Sequence, residues 1–172
     1  MPILNGIIPF FPSIHNVNLP LMKLRISNEK YIIRCFELAA MGKDSVEPNP
    51  LVGAVIVKNG KIIGEGYHMK FGEAHAEVNA IKNSTENVKG ATLFCNLEPC
   101  CHTNKKTPPC APFIIENGIS EVIISNIDPN PEVAGKGVEL LKKAGIKVVV
   151  GILEKEGKSL NSDFFDRISP GN

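Results

Sequence analysis

From residue 91 onward, short apolar runs alternate with stretches of helical periodicity, and that alternation restricts the fold more than any other feature of the chain. ATLFCNL (91–97), EVIISN (121–126) and IKVVVG (146–151) are nearly continuous apolar runs rich in β-branched residues, as strands covered on both faces are. Between them lie two segments with helical spacing. The first runs from TPPC through CAPFIIEN, with Thr107 as N-cap, proline at the first helical position and Gly118 as the stop. The second is GVELLKKAG (137–145). Strands joined through whole helices must lie parallel, because the chain has to cross back before it can pair again.

The first half is organised differently. LVGAVIVK (51–58) and KIIGEGY (61–67) flank Asn59-Gly60, the dipeptide that favours the left-handed backbone of a type I′ hairpin turn. Upstream, Tyr31, Ile32, Cys35, Phe36, Leu38 and Ala39 recur at helical spacing and Gly42 supplies a stop. HAEVNAIKN (75–83) reads as a short helix. LEKEGKSLNSDFFDRI reads as a last one, with Leu153, Leu160 and Phe164 as its packing stripe. The expected architecture is an α/β/α sandwich around one five-stranded mixed sheet, occupying residues 28–168 of the 172. Residues 1–27 carry four prolines and read as an irregular arm, lying on the body or against another subunit, with Met22 as an alternative start. Residues 169–172 form a tail.

Composition excludes several classes of function. A formal net charge of +1 supplies no global field for nucleic acid or anionic lipid. No apolar run approaches the roughly 20 residues of a membrane span. The five cysteines are odd in number and four of them fall within positions 95–110, unlike the even, dispersed thiols of a secreted disulfide scaffold. Reduced thiols and a metal, in a cytoplasmic setting, account better for such a cluster. Cys35 and Cys95 lie on apolar faces and are expected to pack in the core.

Three segments can supply a metal site. His75-Ala76-Glu77 opens a helix, Pro99-Cys100 follows a strand, and a further thiol comes from Cys110 at a helix start or from the adjacent Cys101. One imidazole and two thiolates suit tetrahedral zinc and leave a fourth position for water. Cys110 is the better aimed of the two, since the positive end of a helix favours the thiolate that zinc needs. Closure by Cys101 would instead make the site purely structural. Glu77, two residues beyond the histidine, can take a proton from water and deliver it to a substrate nitrogen. His-x-Glu followed by Pro-Cys is the pattern of zinc nucleobase deaminases, although the expected second cysteine of P-C-x-x-C is here Thr103.

PNPLVGAVIV, GEGYH, HAE, LEPCCH, TPPC and DPNPEVAGKG occur in that order, and with them residues 30–165 resemble the riboflavin-biosynthesis pyrimidine deaminase family. The resemblance implies the cytidine-deaminase-like fold and a Zn2+ centre made by His75, Cys100 and Cys110, with Glu77 as proton shuttle. It implies hydrolytic deamination of a phosphorylated diaminopyrimidinone at ring C2. It further implies that His102 and Lys106 contact the ribosyl phosphate, with Lys105 as a substitute and Thr107 third. Asn49 and His68, a turn residue and a core histidine by default, become pocket residues. Asp128 and Asn130 follow a strand's carboxyl end, where open α/β sheets hold ligands, but they also suit an Asx turn. The loop CCHTNKKTPPC departs from the family pattern, being one residue longer and lacking its glycine. Many members continue into a reductase domain, so ribosyl reduction is expected from a separate polypeptide or a missing segment. A homo-oligomer is expected by analogy. The rival readings are another base, nucleotide or tRNA deaminase of the same fold, and a non-catalytic zinc-stabilised binding module.

Overall fold

The computed structural model describes residues 19–102 and 108–169, with only the backbone for residues 19, 21 and 24–26. The chain runs α1 (Leu19–Ala40), β1 (Gly53–Lys58), β2 (Lys61–Tyr67), α2 (Ala76–Lys82), β3 (Thr92–Leu97), α3 (Cys110–Glu116), β4 (Glu121–Asn126), α4 (Lys136–Lys143), β5 (Lys147–Val150), α5 (Glu154–Leu160) and α6 (Ser162–Ile168). The strands form one sheet in the order β2-β1-β3-β4-β5. β1 pairs antiparallel with both β2 and β3, whereas β3, β4 and β5 are parallel. The expected five-stranded mixed sheet is therefore present, with its parallel half in the region of strand–helix alternation.

Strand alternation divides the core in two. Ala54 and Ile56 of β1 join Leu93, Cys95, Val122 and Ile124 on one face, beneath Ala80 and Ile81 of α2, Ile114 of α3 and Leu141 of α4. Val55 and Val57 join Phe94 and Ile123 on the other, against Tyr31, Ile32, Cys35 and Leu38 of α1. Each fully buried aliphatic side chain of this kind is worth about 1.5–3 kcal/mol. Cys35 and Cys95 are core residues, both fully buried. The hairpin turn takes the expected form, Asn59 and Gly60 having φ of 50° and 75°. Gly66 permits the close seating of α2 on β2: a Cβ there would collide with the backbone nitrogen of Ala80 and the carbonyl of Ala76.

Three local expectations need correction. α1 begins at Leu19, inside the segment read as an irregular arm. The last proline of that segment, Pro20, falls in the first helical turn, where its missing N–H has no partner to lose, and nothing after it breaks a helix. α3 begins at Cys110, and its N-cap is Pro109 in extended conformation (φ −66°, ψ 143°) rather than Thr107, which lies outside the described residues. Pro108 cannot take the α conformation because a proline follows it, which delays the helix. The final helix is two helices broken at Asn161 (φ −113°, ψ 27°), and Leu153, packed on the core as expected, is the left-handed N-cap (φ 54°) of the first rather than a residue within it.

The break at Asn161 has a tertiary cause. Its side-chain oxygen accepts the N–H of Leu51 at 2.8 Å and its amide donates to the Leu51 carbonyl at 2.9 Å. Asn161 thus pairs with the chain entering β1 as a neighbouring strand would. Asn96 adds a second donor to the same carbonyl at 2.9 Å. With Asn161→Ala, the Leu51 N–H loses its acceptor in a buried place, at a cost of about 1–3 kcal/mol. At about 2–4 °C per kcal/mol for a chain of this size, the thermal midpoint should fall by about 2–12 °C. An unchanged midpoint in a calorimetric scan would show that the Asn161–Leu51 pairing contributes nothing to stability.

Candidate metal and catalytic site

The site forms where β3 ends and α2 and α3 begin. Asn79 of α2 donates from its amide to the carbonyls of Tyr67 at 2.9 Å and Ala74 at 3.2 Å, which ties the 68–75 loop to the helix and places His75 as its N-cap. Cys100 follows β3, and the Ala111 N–H donates to the Cys100 carbonyl at 3.0 Å, locking the start of α3 onto that strand's exit. One donor atom each from His75, Cys100 and Cys110 then lies within 4.8 Å of the others. The His75 Nδ1 is 3.2 Å from the Cys110 sulfur and 3.5 Å from the Cys100 sulfur. Tetrahedral zinc with bonds of about 2.0–2.3 Å needs N···S and S···S edges of roughly 3.5–3.8 Å, so this donor set fits the ion with small adjustments. Nδ1 is the imidazole nitrogen that faces the sulfurs.

Cys101 is not in this cluster. Its side chain packs against the large core cluster instead, and burial raises its thiol pKa. The two clustered thiols behave as a pair. Hydrogen bonds from Cys110 and His75 pull the Cys100 thiol down, to about 3, while its thiolate pushes Cys110 well above the ordinary value. One sulfur of the pair is therefore held as thiolate, ready for a cation. Glu77 is buried, with 3% of its surface exposed, and its carboxylate oxygen lies 3.5 Å from the Cys110 sulfur. Burial raises its pKa, with His75 opposing that shift.

His75, Glu77 and Cys100 line one side of a cavity of about 270 Å³ that also receives Asn49, His68, Asp128 and Asn130, with Cys110 behind them. The Asn49 amide donates to His68 Nε2 at 3.1 Å, and the opposite ring nitrogen, Nδ1, donates to the Ala74 carbonyl at 3.2 Å. That pair of bonds fixes one tautomer and turns a default core histidine toward the cavity. Asp128 and Asn130 form the Asx turn and also lie at the cavity. Each side chain caps the backbone N–H two residues on, of Asn130 at 2.9 Å and of Glu132 at 3.0 Å, and each borders the cavity. His102 is placed differently: its Nε2 is 4.0 Å from the Glu132 carboxylate and it is not among the described lining residues. Lys105, Lys106 and Thr107 lie outside the described residues.

Two contributions escaped the sequence reading. Glu98, buried at the end of β3, accepts backbone N–H groups from Asp128 at 3.3 Å, Gly135 at 2.9 Å and Val138 at 3.0 Å. It binds the β4–α4 connection to the Pro99-Cys100 turn, and its one visible signal was a lone carboxylate closing an apolar strand. Arg167 and Ile168 of α6 complete the cavity wall beside Phe164 of the expected packing stripe, and no local pattern announces those two.

The geometry makes the third donor testable. Cys110→Ser should leave purified protein with much less zinc than wild type by elemental analysis, while Cys101→Ser should retain it. Equal zinc contents in the wild type and Cys110→Ser would remove Cys110 from the metal site.

Comparison with known proteins agrees with this arrangement. Residues 26–126 match the family described as the cytidine and deoxycytidylate deaminase zinc-binding region. The diaminohydroxyphosphoribosylamino-pyrimidine deaminase of Buchnera aphidicola (subspecies Schizaphis graminum) is 50% identical over 141 residues, which are 82% of this chain and 95% of that one. A solved structure of RibD from Acinetobacter baumannii superposes with a TM-score of 0.82 at 44% identity, covering 86% of this chain and 41% of that one. The Escherichia coli riboflavin biosynthesis protein RibD is 46% identical over 146 residues, and the chain spans 40% of its length. The deaminase domain of Aspergillus oryzae Rib2, at 24% identity and a TM-score of 0.67, shares the fold. With its zinc-type donor set and this degree of identity, the chain belongs to the diaminohydroxyphosphoribosylamino-pyrimidine deaminase family of zinc-binding, cytidine-deaminase-like proteins.

Proposed function

We propose that this chain removes the amino group from C2 of 2,5-diamino-6-ribosylamino-4(3H)-pyrimidinone 5′-phosphate by hydrolysis. The products are 5-amino-6-(5-phosphoribosylamino)uracil and ammonia. The observation that carries the reading is the buried Glu77 carboxylate set beside the His75, Cys100 and Cys110 donors in a cavity with polar groups on its other walls. A structural zinc site would need no carboxylate there, and closes with a fourth protein ligand.

In this reading His75, Cys100 and Cys110 would hold Zn2+, whose Lewis acidity would ease loss of a proton from water near neutral pH. Glu77 takes that proton, passes it to the ring nitrogen, and assists ammonia as it leaves. Its burial keeps bulk water away from the carboxylate, so the proton is handed to substrate. Asn49, held by His68, offers donor and acceptor to the edge of the pyrimidinone, with Asp128 and Asn130 on the β4 side of the same cavity. His102, Lys105, Lys106 and Thr107 remain the proposed phosphate contacts of the 102–107 loop. Residues 28–168 make up the proposed catalytic unit. We place the protein in the cytoplasm, on the ground that all five cysteines are free and none of the described helices is long and apolar enough to cross a membrane. The solved Thermotoga maritima relative is described as both deaminase and 5-amino-6-(5-phosphoribosylamino)uracil reductase, so reduction of the product by a reductase activity is the proposed next step.

Ammonia release from the phosphorylated diaminopyrimidinone, by zinc-loaded protein, tests the proposal. Glu77→Ala should keep its zinc and lose turnover by about 10²–10⁴-fold or more, the usual contribution of a proton shuttle. Turnover retained in that variant would end the role given to Glu77. A folded, zinc-loaded wild type that releases no ammonia would end the assignment of substrate.

A further inference from the structure

The charge around the cavity is unbalanced for a phosphorylated ligand. Its described lining includes the carboxyl groups of Glu77, Glu98 and Asp128, and the one permanently cationic side chain among the described lining residues is Arg167. Beyond the Zn2+ that His75, Cys100 and Cys110 would hold, a dianion brought into such a site gains from a cationic side chain, because like charges repel more strongly where water is partly excluded.

Arg167 is suitably placed. It sits on α6 with Phe164 and Ile168, three and one residues away, and these three side chains present one helix face to the cavity. Nothing in α6 is buried, so the core does not require this face to be where it is. A guanidinium nitrogen of Arg167 donates to the Pro48 carbonyl at 2.7 Å, which holds the group next to Asn49. Arg167 also borders an adjoining cavity of about 360 Å³ that shares Asn49, Pro50 and Phe164. The guanidinium is exposed, with space on two sides.

We propose that Arg167 is a substrate-anchoring residue: it keeps one N–H on the Pro48 carbonyl and turns others of its fork to the anionic group of the substrate. The inference rests on the reading of the substrate as a phosphorylated pyrimidinone. It is compatible with the lysines of the 102–107 loop, since a phosphate has several terminal oxygens and accepts from more than one cation. The fork matters because arginine can serve a carbonyl and an anion together, whereas the single ammonium of lysine is a point charge.

Steady-state kinetics of the wild type, Arg167→Ala and Arg167→Lys, each with the phosphorylated substrate and its dephosphorylated analogue, test this. Arg167→Ala should raise KM for the phosphorylated substrate by about 10–100-fold, the range expected for a lost charge-assisted hydrogen bond. The same variant should change KM for the dephosphorylated analogue only slightly, and Arg167→Lys should recover part of the phosphate preference. Zinc content and thermal midpoint, measured on each variant, should match the wild type. Equal losses on both substrates would overturn the proposal and leave Arg167 as a clamp on the 48–50 loop; no loss on either would overturn it as well. Titration with ribose 5-phosphate supplies a readout independent of turnover. If the wild type deaminates neither compound, the functional reading falls, and Arg167 is judged by this titration alone. Weaker binding in Arg167→Ala supports the anchor, and unchanged binding sinks it.

Discussion

Everything at the site depends on α2 and α3 seating on the same face of the sheet with their first turns converging at the end of β3. Three donors from residues 75, 100 and 110 can meet within 4.8 Å only if both helices approach the sheet closely. The sequence permits this with small residues at the contacts: Gly66 under α2, and the fully buried Ala76, Ala80 and Ala111 on the helices themselves. A Cβ at Gly66 would already meet the α2 backbone, and larger side chains at the buried alanines would have no room without moving a helix off the sheet. The backbone bond between Ala111 and Cys100 closes the arrangement, so the two thiols are positioned by main chain as much as by side-chain packing. The mutual influence of their pKa values follows from that enforced closeness.

How far the sequence could be read depended on how local the determining physics was. The strands were legible because period and β-branching are properties of six or seven consecutive residues, and the Asn59-Gly60 turn because two left-handed residues identify themselves. The metal donors were legible because Cys and His are rarely clustered without a reason, and Cys110 over Cys101 followed from where a helix would start. Asn161 was not legible: its partner Leu51 is 110 positions away, and an asparagine in a helical pattern looks like a weak helix former and nothing else. Arg167 has the same character, its acceptor Pro48 being 119 positions distant. The start of α3 was misplaced by a rule that is itself local, the restriction a proline puts on its predecessor, which had been given less weight than the capping preference of threonine.

Glu98 shows a different way in which a carboxylate can serve such a site. Three backbone amides from one connection converge on it, so it works as a staple between the exits of β3 and β4. Two buried carboxyl groups thus lie near the same metal-type cluster with opposite fates. Glu98 has its hydrogen-bonding capacity taken up by main chain and is inert, while Glu77 faces sulfur and cavity. Identity of residue type says little here; the number of fixed donors around each oxygen separates the group held by main chain from the one left facing the cavity.

The direction of β1 has a consequence of its own. In a sheet whose strands all run one way, loops that lead into strands and loops that leave them are on opposite rims, some 20 Å apart for strands of six residues. Because β1 opposes β3, the segment entering it, with Asn49 and Pro50, arrives at the same rim from which β3 and β4 depart. β2, reversed again with respect to β1, ends at that rim too and delivers His68. The one strand reversal therefore brings an entry loop, with Asn49, to a rim that a purely parallel sheet would furnish from its exits alone. The hairpin at the start of this fold is a device for mixing a segment that enters a strand with segments that leave strands at one edge of the molecule.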